Sequence, residues 1–341
     1  MSSYFGLDFG SSSLKVAQVN LLGTNKFVVN ALGLIQNPAG SLDFSDTKVT
    51  NQLLPAVKKL IKDAGIKDKR AVVSVPESKV YSRIVTMPNM SDAELAGAVS
   101  WEAEQFVPVP VSEVEVDYSV VSRPPKGAST QPLQVYLVAA PKKYLQAMVD
   151  FLILAGIEPI AVESEMVAVS RVFSFGGSVG SSLLVHIGAL STVMAIIEGG
   201  ALRFSYVMET GGVSLTRVLS KSLALPMVQA EEYKRTYGLD PNQLEGKIRN
   251  GLLVLLNEVT SEIGKAIQYH ATQNKAQVAR IILSGGGAYL PELATYLGEK
   301  FSGIEVLMGD PFTYAVAGKG VKIPAEKTVY SVAVGLAERV F

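Results

Sequence analysis

The sequence predicts an α/β protein of two related lobes, and three observations carry that prediction. A stretch that reads as strand, glycine turn and strand, GLDFGSSSLKV at 6–16, returns as LLVHIGALSTVMAII at 183–197. Each copy opens a three-strand run followed by helix and strand, so a β-β-β-α-β-α core is present twice. Between the copies, residues 77–146 change texture and read as a small β-α-β-β module set into the first unit. A chain of 341 residues is also too long for one ordinary core.

The elements follow in order. SSYFGLDFGSSSLKVAQVNL gives two strands and KFVVNALGLIQN a third. NQLLPAVKKLIKDAGI (51–66) has apolar residues at helical spacing, with Gly65 as its stop. RAVVSVP (70–76) is a buried strand. Ser91 with Glu94 three residues on forms a capping box, so 91–106 is a helix, ended by Pro108 and Pro110. EVEVDYSVVS (113–122) alternates as a strand, RPPKGASTQP is a loop, and LQVYLVAAP is a strand. KKYLQAMVDFLILAGI returns as a helix. Residues 181–212 repeat the three-strand layout, turning at Gly188 and at Gly199-Gly200. SLTRVLSKSL, MVQAEEYKRTYG and GLLVLLNEVTSEIGKAIQYHATQ are helical. RIILSGGGAYLPELATYLGEKF (280–301) is strand, glycine turn and helix, and KTVYSVAVGLAERVF closes the chain as a helix with small residues on part of its surface.

Composition removes several classes of function. Basic and acidic residues number 31 each, without a basic stripe, which argues against nucleic acid as a main partner. Cysteine is absent and only His186 and His270 occur, so disulfides, thiolate catalysis and cysteine- or histidine-rich metal sites are excluded. The N-terminus lacks the basic and long apolar regions of a signal peptide. The uncharged stretch 172–197 is too broken by Gly176, Gly177, Gly180, Gly188 and five serines to span a membrane. A soluble chain is expected.

Four stretches could carry chemistry. In the first hairpin, Gly10 permits a tight turn, and the N–H groups and hydroxyls of Ser11, Ser12 and Ser13 could meet a phosphate. Asp8 could hold Mg²⁺ through water. An ordinary polar hairpin is the alternative. Gly285, Gly286 and Gly287 could let a base or ribose lie on bare backbone, or could form a tight strand-to-helix turn. Gly211 and Gly212 open a helix in the same way. Glu231 and Lys234 share a helix face at i and i+3 and could bond ribose hydroxyls, or form a solvated surface pair.

These pieces, in this order, resemble the actin-like ATPase superfamily, and within it the PilM family of type IV pilus assembly proteins, related to FtsA. The resemblance runs along nearly the whole chain. GLDFGSSSLKV resembles the first phosphate motif, and RAVVSVPESKVYSRIVTMP with ELAGAVSWEAEQFVPVPVSEVEVDY resembles the inserted subdomain that sugar kinases and chaperones lack. TGGVSLTR, AEEYKRTYG, RIILSGGGAYLPEL and YSVAVGLAER complete the series. The resemblance implies a two-lobed actin-like ATPase fold with ATP (or ADP) and Mg²⁺ in the cleft. The first lobe would comprise 1–72, completed by 147–180 and 321–341. The inserted subdomain would be 73–146. The second lobe would be 181–320, with a helical subdomain near 216–270.

By the same resemblance, Asp8, Gly10, Ser11, Ser12, Ser13 and Lys15 match the first phosphate loop, and Gly188, Ser191 and Thr192 the second. Gly211, Gly212, Glu231 and Lys234 match the connecting loop and ribose helix. Gly285, Gly286, Gly287 and Tyr289 match the adenosine loop. The family works at the cytoplasmic face of the inner membrane and docks the N-terminal tail of a PilN-like membrane protein between the first lobe and the inserted subdomain. An FtsA-like filament former and a small-molecule kinase are the alternatives. The first would carry a C-terminal amphipathic helix, which GLAERVF does not supply, and the second an Asp-rich substrate loop, which is not seen.

The chain departs from the family pattern at two positions. His186 stands where an Asp is usual, and Val193 where an acidic residue is usual. Imidazole is a poor ligand for Mg²⁺. His186 could be a strand-end residue bonded to backbone, a protonated phosphate contact, or a catalytic group. Glu163 falls near where the superfamily keeps a water-positioning side chain. Asp8, Glu163 and His186 are therefore the candidate catalytic residues, and ATP binding with little or no hydrolysis is the expected outcome.

Overall fold

The computed structural model describes residues 4–23, 26–124, 132–174 and 180–341. Strands β1 (Phe5–Phe9), β2 (Ser13–Leu21) and β3 (Phe27–Gln36) form the antiparallel start of the first sheet. Helix α1 (Thr47–Asp63) begins four residues before the periodic stretch at 51, because Asp46 caps it by accepting the Lys48 N–H at 2.8 Å. Its first turn holds a single apolar residue, Val49, too little for periodicity to mark it. Strand β4 (Arg70–Val75) runs parallel to β1 and is buried beyond its first residue.

The chain then leaves the sheet. Strand β5 (Tyr81–Met87), helix α2 (Asp92–Glu104), and strands β6 (Val114–Ser122) and β7 (Leu133–Pro141) build a three-stranded sheet of order β5-β7-β6, with α2 packed on it. The Ser91–Glu94 capping box closes in both directions. Most of the loop read at 123–132 lies outside the described residues. Helix α3 (Lys142–Ala155) returns, and β8 (Glu158–Ser164) joins β4 in parallel before α4 (Glu165–Phe173). The sequence reading did not separate these last two, because EPIAVES mixes polar and apolar residues without a period.

The second sheet is built from β9 (Ser181–Ile187), β10 (Thr192–Glu198) and β11 (Ala201–Met208). Helices α5 (Gly212–Ser222), α6 (Met227–Tyr237) and α7 (Lys247–Asn274) lead to β12 (Val278–Ser284), α8 (Leu293–Lys300) and β13 (Glu305–Met308). Strand β14 (Ala315–Ala317) and helix α9 (Ser331–Ala337) finish the chain.

The strand orders establish the duplication. The first sheet reads β14-β3-β2-β1-β4-β8 and the second β11-β10-β9-β12-β13. In each, the first strand is antiparallel to the second and parallel to the fourth. Some boundaries move. Residue 72 falls inside β4 rather than at its end, and 146 falls inside α3. Strand β14, on the second-lobe side of a boundary at 320, pairs with β3 in the first sheet, because Gly318 N–H also bonds to Val29 O. Gly176 and Gly177 lie outside the described residues. Among those described, no helix is long and apolar enough to cross a membrane.

Helix α9 holds the lobes together. It packs on β1 and on α4, and a Cβ on Gly6 would sit 2.2 Å from Ala333 O. From its N-terminal side, Thr328 Oγ1 donates to Gly285 O at 2.8 Å and Ser284 Oγ donates to Ser331 Oγ at 3.0 Å. A shared apolar core runs between the sheets through Val72, Met166, Leu184, Ile282 and Leu336. At the end of α9, Glu338 is buried with neither carboxylate oxygen hydrogen-bonded. Burial pushes its pKa up to about 8, against the pull of Arg171. A carboxyl raised in the folded state stabilises below its unfolded pKa and loses that contribution as pH rises through the folded value. Glu338→Met is therefore expected to flatten the decline of stability between about pH 5 and 8. At pH 8 the gain should be about 1–3 kcal/mol in urea unfolding, and at pH 5 near zero.

Candidate functional site

The two hairpin turns are built alike. Gly10 N–H bonds to Ser13 O at 3.1 Å, and Gly188 N–H bonds to Ser191 O at 2.9 Å. They lie close enough that Asp8 and Lys15 act electrostatically on His186. Register makes the comparison residue by residue, since Asp8 stands opposite Lys15 and His186 opposite Val193. The first hairpin therefore carries an ion pair where the second carries a neutral pair.

Asp8 is buried and its Oδ2 accepts from Lys15 Nζ at 3.0 Å. Its Oδ1 accepts from Ser74 Oγ at 3.2 Å, and Ser74 Oγ accepts the Phe9 N–H at 3.1 Å. A Cβ on Gly10 would lie 2.9 Å from Lys15 Nζ, so the ammonium folds over the turn. Ser12 is exposed, and Ser11 and Ser13 are half-buried. Buried Asn37 braces this loop, with Nδ2 donating to Gly10 O at 3.1 Å and its own N–H to Ser12 O at 2.9 Å. Sequence reading missed Ser74 and Asn37. Only the tertiary fold brings them to the loop, Ser74 from 65 residues and Asn37 from 27 residues away.

The second hairpin is spent on the protein itself. Its carbonyls at Gly188 and Ala189 accept the N–H groups of Gly212 and Val213, each at 2.9 Å. Thr192 is buried, and its hydroxyl donates to Thr210 O at 2.6 Å. Of the expected phosphate donors here, Thr192 and the Gly212 N–H are thus already engaged. His186 Nδ1 lies 3.2 Å from Ser284 Oγ, a hydroxyl that continues to Ser331. Burial lowers the pKa of the imidazole to about 4, although Asp8 pulls it up and Lys15 pushes it down. Burial therefore favours the neutral imidazole, which argues against a protonated phosphate contact. Its partner is a side-chain hydroxyl, not backbone.

Two of the three glycines at 285–287 have packing reasons. Gly285 has φ +80, and a Cβ there would meet Ile187 O at 2.5 Å. A Cβ on Gly287 would meet Ile187 Cγ2 at 2.2 Å. Gly286 is exposed and open. The run forms one 3₁₀ turn, with helix α8 starting only at Leu293, so the glycines do not directly open that helix. The Tyr289 hydroxyl accepts the Thr328 N–H at 3.2 Å.

Glu231 and Lys234 meet at 2.6 Å, but Lys234 is buried. Its ammonium also donates to Gly212 O at 2.9 Å and to Thr216 Oγ1 at 2.8 Å. All three of its protons have protein acceptors, so it anchors α6 to the start of α5. Burial lowers the Lys234 pKa. Burial also presses on Glu231, yet its bonds from Lys234 and Thr216 win and hold its pKa low. Glu231 is half-exposed and keeps a free face for a ligand hydroxyl.

Glu163 is placed elsewhere. It is forked by Arg171 at 2.8 and 3.1 Å and also paired with Arg339. These arginines tie it to the C-terminal end of the chain, since Arg171 also donates to Gly335 O. The acid that senses Asp8 is Glu165, the first residue of α4, whose pKa burial and then Asp8 raise to about 8. The two acids part because β8 ends at Ser164 and Glu165 already belongs to the first turn of α4, a break that sequence reading did not place. Among the described residues, no group of three acidic, histidine or cysteine side chains could cage a metal. With both Asp8 oxygens bonded, the donor set fits an ion held by a ligand's phosphates and touched by Asp8 through water.

Two sheets of one strand order, neighbouring hairpins and a buried helix linking the sheets define an actin-like ATPase fold. Solved structures of EutJ from Carboxydothermus hydrogenoformans (TM-score 0.58, 15% identity, 98% of this chain and 88% of that one) share it. So does MreB 5 of Spiroplasma citri bound to AMPPNP (TM-score 0.55, 12% identity, 97% and 94%). Within that fold, the chain belongs to the type IV pilus assembly protein PilM family, whose model matches residues 6–341. It is 25% identical, with TM-score 0.85, to a chain of a PilM-PilN type IV pilus biogenesis complex, covering 98% of this chain and 97% of that one. It is also similar to the cell division protein FtsA of Streptococcus pneumoniae, at 24% identity over 372 residues, 96% of this chain and 79% of the relative.

Proposed function

We propose that this chain is a nucleotide-binding scaffold of the type IV pilus inner-membrane platform, docking the N-terminal tail of a PilN-like protein and hydrolysing ATP slowly or not at all. The observation that carries this reading is the asymmetry of the hairpins. Lys15 and the Ser11–Ser13 turn offer charge and open donors to a β- or γ-phosphate. His186 and Val193 offer neither charge nor a metal ligand on the other side. Gly286 and the free face of Glu231 would border the nucleoside. Magnesium would neutralise the phosphates, with Asp8 reaching it through water. In this reading the lobes and the inserted module move as units about α9, and the tail lies between the first lobe and that module. Attachment to the membrane face would come through the partner.

Titration calorimetry with ATP and magnesium, beside a phosphate-release assay, tests the proposal. Binding tighter than about 1 mM, or about −4 kcal/mol, is expected with negligible release. His186→Asp is expected to raise release about tenfold or more. Absence of binding, or brisk turnover by the unaltered chain, refutes the reading.

A further inference from the structure

Glu77 lies two residues beyond β4, where the chain departs for the inserted module, and it is buried. Its backbone N–H donates to Glu165 Oε2 at 3.1 Å. In return its own Oε2 accepts the Met166 N–H at 3.4 Å. The exchange is reciprocal, so a carboxyl from a distant segment caps the first turn of α4 while that segment's amide fixes Glu165. The other oxygen of Glu77 accepts from Ser82 Oγ on β5 at 3.3 Å, and Ser82 Oγ is 3.2 Å from Ser205 Oγ on β11. One side chain thus joins the first lobe to the inserted module and, through one hydroxyl, to the second lobe. A carboxyl as deeply buried as Glu77 is costly to keep, and the half-buried Glu165 beside it adds to that cost. Burial raises the pKa of Glu77 as it does that of Glu165.

We propose that Glu77 is a positioning residue that couples the hairpin cleft to the inserted module, so that nucleotide and partner peptide change each other's affinity through its contact with α4. The inference rests on the reading that the cleft takes a nucleotide and the module's junction a peptide. Coupling requires an element whose arrangement both ligands bias. The Glu77–α4 exchange is such an element: it fixes the first turn of α4, which follows β8 of the first sheet, on one side, and Glu77 leads into β5 on the other.

The test uses the full chain, a non-hydrolysable ATP analogue with magnesium, and a synthetic peptide of the PilN-like partner's N-terminal tail. Nucleotide affinity is measured with and without saturating peptide. In the unaltered chain the peptide is expected to shift it by about tenfold. In Glu77→Ala the shift should vanish, while each ligand alone binds within about threefold of its original affinity. Glu77→Gln keeps an acceptor for Met166 N–H and should retain most of the coupling. Ser82→Ala leaves the buried carboxyls in place and should weaken it, which keeps the test open if Glu77→Ala does not fold. Faster amide exchange at 165–167 in Glu77→Ala is the accompanying signature. Unchanged coupling in folded Glu77→Ala and in Ser82→Ala, or none in the unaltered chain that binds both ligands, overturns the inference alone. Failure of the unaltered chain to bind nucleotide or peptide overturns the underlying reading and the inference with it.

Discussion

Gly335→Ala is expected to lower stability by about 3 kcal/mol or more, roughly 4 °C in the thermal midpoint for a chain of this length. A Cβ at Gly335 would stand 2.0 Å from Ala168 O and 2.5 Å from Ala168 C, and both atoms are backbone. Helices α4 and α9 would have to separate. That movement would also pull Arg171 from Gly335 O and disturb its fork with Glu163. Gly97→Ala in α2 is the contrast, since a Cβ there meets nothing within 4 Å. It should stabilise by about 0.5–1 kcal/mol, the ordinary helical gain of alanine over glycine. Thermal unfolding of the two variants gives shifts of opposite sign, and a neutral Gly335→Ala would contradict the packing described for α9.

Lys15→Met is expected to cost about 3–5 kcal/mol, because it leaves the Asp8 carboxylate buried beside Ser74 alone. The loss should be largely recovered in the double variant Asp8→Asn/Lys15→Met, where no charge remains uncompensated. Nucleotide affinity should fall in both by about tenfold or more, since no cation is left over the Gly10 turn. Urea unfolding and calorimetry on the same preparations separate the two effects. Stability that does not recover in the double variant would mean that Lys15 acts through packing. Undiminished nucleotide binding would move the phosphate away from this hairpin.

The hairpins were legible because the turn glycine, the flanking alternation and their recurrence are all local in sequence. The Ser91–Glu94 cap was legible for the same reason. Where the reading failed, a long-range neighbour had decided the matter. Lys234 looked like a surface residue because its i−3 partner is acidic, yet α5 covers it. Glu163 and Glu165 are indistinguishable until β8 ends at Ser164 and α4 begins, which leaves Glu163 to Arg171 and gives Glu165 the Glu77 N–H. Gly285 and Gly287 read as either a ligand surface or a tight turn, and Ile187 on the neighbouring strand supplies a packing reason for both that no local pattern shows.

By itself, then, the sequence determined the duplicated α/β architecture, the inserted module and the loss of charge from the second hairpin at His186 and Val193. Periodicity, turn chemistry and residue identity are properties of the chain alone. Only the tertiary structure decided that His186 lies against Ser284, that Thr192 and Lys234 are already bonded, and that Glu77 grips α4. Burial and hydrogen-bond satisfaction depend on which distant segments meet, and no local pattern encodes that meeting.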